Sequence, residues 1–124
     1  MAWNLDDNRP IYLQLVEEMQ LRIVTGIYLP GEKIPSVREL AAEAAVNPNT
    51  MQKAFGELER SGLIITQRTS GRMVTKDASL INEIKNLMAK DIIDAFLNNM
   101  KQLGYTRENT LNLLADTLKK EDSL

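Results

Sequence analysis

Apolar positions along the chain follow helical spacing in five stretches and extended spacing in one. Ile11, Leu15, Met19 and Ile23 recur every four residues, with Tyr12 and Val16 widening the stripe, which predicts an amphipathic helix from Pro10 to a stop at Gly26. Proline suits a first turn because its missing N–H has no helical partner there, and Asp7 or Asn8 just upstream offers a cap. Residues 29–35 hold two prolines and a glycine, which forbids a helix and predicts a turn with a short extended piece at Lys33 and Ile34. Ser36 and Glu39 then stand at capping-box spacing ahead of Leu40, Ala41 and Ala44, so a short second helix follows. Asn47 as cap and Pro48 at the first helical position open a third, with Met51, Ala54, Phe55 and Leu58 inward and Asn49, Gln52, Lys53 and Arg60 outward. Two helices joined by Ala45, Val46 and Asn47 make a helix-turn-helix.

Beyond Gly62 the rhythm changes. Residues 63–68 are apolar and β-branched, Thr69, Ser70 and Gly71 are turn-like, and residues 72–75 read as a second extended piece, together a β-hairpin. Helical spacing then returns in Leu80, Ile84, Leu87, Met88, Ile92, Phe96, Met100 and Leu103; Gly104 stops it, Thr106 caps a last helix, and Leu111, Leu114 and Leu118 mark its apolar side. The predicted fold is mostly α with a small β-hairpin wing: a winged helix-turn-helix over residues 1–77, then a two-helix tail over 78–124.

Charge and composition narrow the chemistry. The net charge of −2 argues at first against a nucleic-acid partner, but residues 33–76 carry seven basic against four acidic side chains, whereas from Asp77 onward six basic meet eight acidic. Exposed charges are screened beyond about 8 Å at physiological salt, so an acidic chain can still present a positive face. With neither Cys nor His, thiolate and imidazole chemistry, disulfides and Cys/His metal sites are excluded. The pairs Asp6 with Asp7, Glu17 with Glu18 and Glu57 with Glu59 stand where surface or capping roles suffice, which speaks against a carboxylate enzyme. No apolar run approaches the roughly 18 residues of a membrane span, and the first residues lack the pattern of a signal peptide, so a cytoplasmic protein with no membrane partner, metal or cofactor is expected.

Several motifs now stand together: Pro10 with Tyr12 and Gln14, Ile23 and Gly26, Pro30-Gly31, the run from Ile34 to Ala41, the run from Val46 to Thr50, and Gly62-Leu63-Ile64. In order and spacing they resemble the winged-helix domain of the GntR family of bacterial transcriptional regulators, and the short tail with its Val-Asn-Pro-Asn-Thr turn is similar to the YtrA-like subfamily. The wing departs from the family pattern, with Thr69 in place of a common glycine and Met73 in place of an aromatic.

The resemblance implies a sequence-specific repressor, controlling its own operon and in some cases transporter genes, that binds an inverted-repeat operator in double-stranded DNA. The DNA-binding residues it implies are Ser36, Arg38, Asn47, Asn49, Thr50, Gln52, Lys53, Arg68, Ser70, Gly71 and Arg72. The first half of the third helix would read bases in the major groove, the one groove wide enough for a helix and unambiguous in its donor and acceptor pattern. Arg38 is expected between the helices in a buried, charge-assisted contact, and Arg72 as a wing charge on phosphate. Tyr12 is read as packing. The tail stripe of Leu80, Ile84, Leu87, Met88, Ile92, Phe96, Met100, Leu111, Leu114 and Leu118 is assigned to the seam of a homodimer, with docking onto the winged domain as the other destination. A small-molecule effector, if one acts, would bind at that seam. The alternative function is a protein-interaction module in which the winged helix docks a protein without specific DNA binding.

Overall fold

The computed structural model describes residues 3–122. Among them α1 (Ile11–Val24), α2 (Val37–Ala44) and α3 (Pro48–Arg60) precede the strands β1 (Ile64–Gln67) and β2 (Gly71–Val74), and α4 (Ala78–Gln102) and α5 (Arg107–Asp122) follow. The mostly helical fold with a two-stranded wing is the one the apolar rhythms predict.

The entry to α1 differs from expectation. Pro10 is itself the N-cap, and neither Asp7 nor Asn8 caps the helix. The carboxylate of Asp6 is occupied in a local turn, accepting from the Asn8 N–H at 2.9 Å. The incoming segment is instead tied down from inside the helix: the Gln14 amide donates to the carbonyls of Asp6 (2.7 Å) and Arg9 (2.9 Å) and accepts from the Asp6 N–H (2.9 Å). That explains why a glutamine is buried on α1.

At α2 the Ser36 hydroxyl accepts from the Glu39 N–H at 3.1 Å, and at α3 the Asn47 side chain accepts from the Asn49 N–H at 2.8 Å, as the capping residues predict. Between them Ala45 takes a left-handed conformation (φ 57°), which lets the Val46 N–H reach back to the Ala41 carbonyl. The inward face of α3 is buried, and Met51, Ala54, Phe55 and Leu58 join Leu15, Met19, Ile23, Leu40, Leu63, Ile64 and Val74 in one core. A charged residue lies among them. Arg22 is buried beneath the Trp3 ring, 4.1 Å away, donates to the Tyr28 hydroxyl at 3.0 Å, and stands 3.5 Å from both Glu18 and Glu43. The Trp3 indole N–H donates to Glu43 on α2, so the residues before α1 are stitched across to α2.

In the wing β1 and β2 pair antiparallel from Ile64 with Val74 to Gln67 with Gly71. A bridge between Lys33 and Met73, with the Ile34 N–H bonded to the Arg72 carbonyl, anchors β2 to the extended piece before α2. Gly71 is not a turn residue as expected: the turn is Arg68, Thr69 and Ser70, and Gly71 opens β2 at φ +81°. The left-handed conformation of this hairpin therefore falls just after the turn, on the glycine that opens β2, and Thr69 occupies no position that needs one.

The first compact unit extends through Lys85 and the second begins at Asn86, later than the division at 77 and 78 expected from the charge and helix pattern. Asp77 caps α4 by accepting from the Leu80 N–H, and Ile81 and Ile84 on its first turns pack against the winged-domain core. The Leu80 side chain lies 3.2 Å from where a Cβ on Gly62 would stand. Leu80 and Ile84, assigned from sequence to a dimer seam, are thus half-buried on their own domain; their spacing continues the tail stripe, and spacing alone does not say which surface covers it. In the second unit Leu87, Ile92, Phe96, Leu111, Leu114 and Leu118 are exposed, while Met88 and Met100 are half-buried. Gly104, at φ +93°, ends α4, and the Thr106 hydroxyl caps α5 by accepting from the Asn109 N–H. Between the two helices lies a cleft of ≈ 730 Å³ whose apolar lining includes Ile93, Phe96, Leu97, Leu111 and Leu114. No described helix is long and apolar enough to cross a membrane.

Candidate nucleic-acid interface

Asn49, Gln52 and Lys53 are exposed on the first half of α3, with Thr50 half-buried beside them. The sequence places them there because each inward position is spent on the core and the Asn47-Pro48 start fixes where the helix begins. The first-turn N–H groups not taken by the Asn47 cap leave partial positive charge at this end, which suits an anion. Lys53 is not a free-swinging cation. Its ammonium sits 3.8 Å above the ring of Tyr12 on α1, so Tyr12 supports the exposed face of α3 and is not the packing residue expected of it.

Arg38, the second residue of α2, is exposed and has no ion-pair partner among the described residues. The helix's own phase sets this: Leu40, Ala41 and Ala44 take the inward face and leave position 38 on the outer one, open to a partner. Ser36 is exposed with its hydroxyl committed to capping.

On the wing Arg68 and Ser70 are exposed in the turn and Gly71 at the start of β2. Arg72 is different. It is half-buried, its Nε donates to Glu59 Oε1 of α3 at 2.7 Å, and its guanidinium lies 5.3 Å from the Phe55 ring. Lys33, Ser36, Glu39, Gly71 and Arg72 line a shallow space of ≈ 450 Å³ between the start of α2 and the wing. The acidic residues of this segment are largely occupied: Glu57 with Arg60, Glu59 with Arg72, and Glu43 with Trp3 and Arg22. Its basic surplus is therefore left on Lys33, Arg38, Lys53, Arg68 and Lys76.

Sequence reasoning missed Lys33, Glu59 and the role of Tyr12. The bridge from Lys33 to Met73 shows how Lys33 reaches the wing, whereas the two-proline run signals only an extended piece. Glu59 meets Arg72 across thirteen residues because the hairpin folds back over α3, and no local pattern announces that.

Residues 11–74 match the family of bacterial regulatory proteins known as gntR. The chain belongs to the GntR family. Among its relatives, the HTH-type transcriptional regulator YhcF of Bacillus subtilis is 39% identical over 104 residues, 84% of this chain and 86% of that protein. The HTH-type transcriptional repressor YtrA of the same organism is 42% identical over 92 residues, 69% of this chain and 71% of that one. A GntR family transcriptional regulator from Listeria monocytogenes has a similar structure, with TM-score 0.83, 39% identity, and coverage of 90% of this chain and 98% of that chain. The DNA-binding domain of AraR in complex with operator ORE1 matches at TM-score 0.52 and 32% identity, covering 60% of this chain and 94% of that one. This GntR protein is YtrA-like, a transcriptional regulator and not an enzyme.

Proposed function

We propose that this GntR regulator is a homodimeric repressor of its own operon that binds an inverted-repeat operator in double-stranded DNA, in a cytoplasmic setting. The exposed first half of α3 carries this reading: amide side chains face outward from a helix end favourable to phosphate, inside a segment whose acidic residues are mostly paired away. Gln52 and Asn49 have the paired donor and acceptor that adenine presents in the major groove, and Thr50 lies beside them. Arg38, Asn47, Lys53, Arg68 and Arg72 fix register on phosphate, with Ser70 and Gly71 at the wing tip. The operator complex of the AraR domain supports a similar docking for this winged helix. Apolar faces of α4 and α5 from Leu87 to Leu118 join two copies, and a small-molecule effector, if one acts, would bind where they meet. The test is a titration of the full chain on duplex from upstream of its own gene and on a scrambled duplex, each at several salt concentrations. Tighter binding to the upstream duplex, with protection of two symmetric half-sites, is expected; equal affinity for both would reject specific repression.

A further inference from the structure

We propose that Glu59 is a positioning residue for the wing, holding the Arg72 guanidinium in the plane from which it meets a DNA phosphate; this rests on the DNA-binding reading above. A carboxylate beside a DNA-facing surface opposes binding, because it repels the phosphates that the neighbouring cations attract. Its placement on α3 therefore calls for a compensating role. The geometry supplies one. Arg72 offers five N–H donors in a rigid fork, and Glu59 accepts from only one of them, the Nε–H, at 2.7 Å. No other group among the described residues accepts from the four N–H of Nη1 and Nη2, and the side chain remains 26% exposed, so that edge is reachable. The fully buried Phe55 ring, 5.3 Å from the guanidinium carbon, limits its motion on another side. Arg72 is thus held by its β2 backbone, by a charge-assisted bond and by an aromatic ring, with its phosphate-binding edge unspent. Arg68, exposed in the turn, has no ion-pair partner among the described residues.

The experiment is Glu59→Gln in the full chain, alone and combined with Arg72→Ala, titrated on upstream and scrambled duplexes across a salt series. Glu59→Gln is expected to weaken binding to both duplexes about three- to tenfold and to lower the slope of log affinity against log salt by about one contact per subunit, the same change expected of Arg72→Ala. In the Arg72→Ala background it should cause no further loss. Tighter binding by Glu59→Gln with an unchanged or steeper slope would overturn the proposal, since Glu59 would then only repel DNA or compete with it for Arg72. An equal loss in both backgrounds would also overturn it, because Glu59 would then act through the fold. If Glu59→Gln lowers the thermal midpoint, Glu59→Asp keeps the charge but withdraws it by one methylene; the same loss is expected, and unchanged affinity and slope would refute the role. If the unaltered chain bound neither duplex, both the DNA reading and the role of Glu59 would fall.

Discussion

At the scale of single residues, the roles proposed for Gln52 and Arg38 separate readout from positioning. A bidentate amide contact discriminates between bases, so Gln52→Ala should cost about 1–3 kcal/mol on the preferred operator and relax preference at one base pair per half-site. Arg38 is exposed, so Arg38→Ala should weaken preferred and scrambled duplexes alike and remove about one contact from the salt slope. Titration of both variants on both duplexes distinguishes them, and a change of base preference in Arg38→Ala would reverse the assignment. Arg22 makes a second case. It is buried, and among the described residues its Nε and Nη2 have no hydrogen-bond partner, so its desolvation is offset by the carboxylates 3.5 Å away and by Trp3 rather than by a full set of hydrogen bonds. Its stem and guanidinium nevertheless fill the space under Trp3. Arg22→Met, which keeps most of that volume, should stay within about 1 kcal/mol of the unaltered chain, whereas Arg22→Ala should lose about 2–4 kcal/mol in urea unfolding. Equal losses would mean that the charge, not the volume, stabilises this corner.

The turn between α2 and α3 shows how an element is held by one backbone conformation. Ala45 is the one described non-glycine residue with positive φ, and α2 ends through it. A β-branched side chain tolerates that region poorly, so Ala45→Val should destabilise the fold by about 1–3 kcal/mol, read from the shift of the urea midpoint, while Ala45→Gly should be close to neutral. Most elements were legible in the sequence because their signals are local. Ser36 with Glu39, Asn47 with Pro48, and the four-residue spacing of α1 each lie within one helical turn of what they control. Pairings across the fold were not legible. Glu59 with Arg72, Lys53 with Tyr12 and Trp3 with Glu43 depend on which faces the core brings together, and a period of 3.6 residues gives a face without naming its neighbour. The same limit applies to Leu80 and Ile84, half-buried on their own domain: an apolar stripe looks alike whether its own domain or another copy covers it. Of the candidate site, the outward face of α3 was readable, whereas the buttressing of Lys53 and Arg72 was not.

For the whole molecule, the change of compact unit after Lys85 sets where the chain can be cut. A chain ending at Lys85 keeps Ile81 and Ile84 on the core and should fold as a monomer with much weakened operator affinity, since one reader lacks the avidity of two linked ones. A chain ending at Lys76 uncovers that core surface and should have the lower thermal midpoint of the two. Sedimentation and thermal unfolding check both, and a dimer that survives the cut after Lys85 would remove α4 and α5 from the seam. The separation of the two units also has a genetic consequence. Residues proposed to read DNA lie before Lys85, and the exposed faces proposed to join two copies lie after it, so one function can be lost while the other stays intact. A chain carrying Gln52→Ala and Arg38→Ala would still enter dimers, and at equal expression about a quarter of all dimers would keep two intact readers. Such an allele should be dominant, derepressing the operon in a cell that also carries the normal gene, and adding the cut after Lys85 to the same allele should make it recessive.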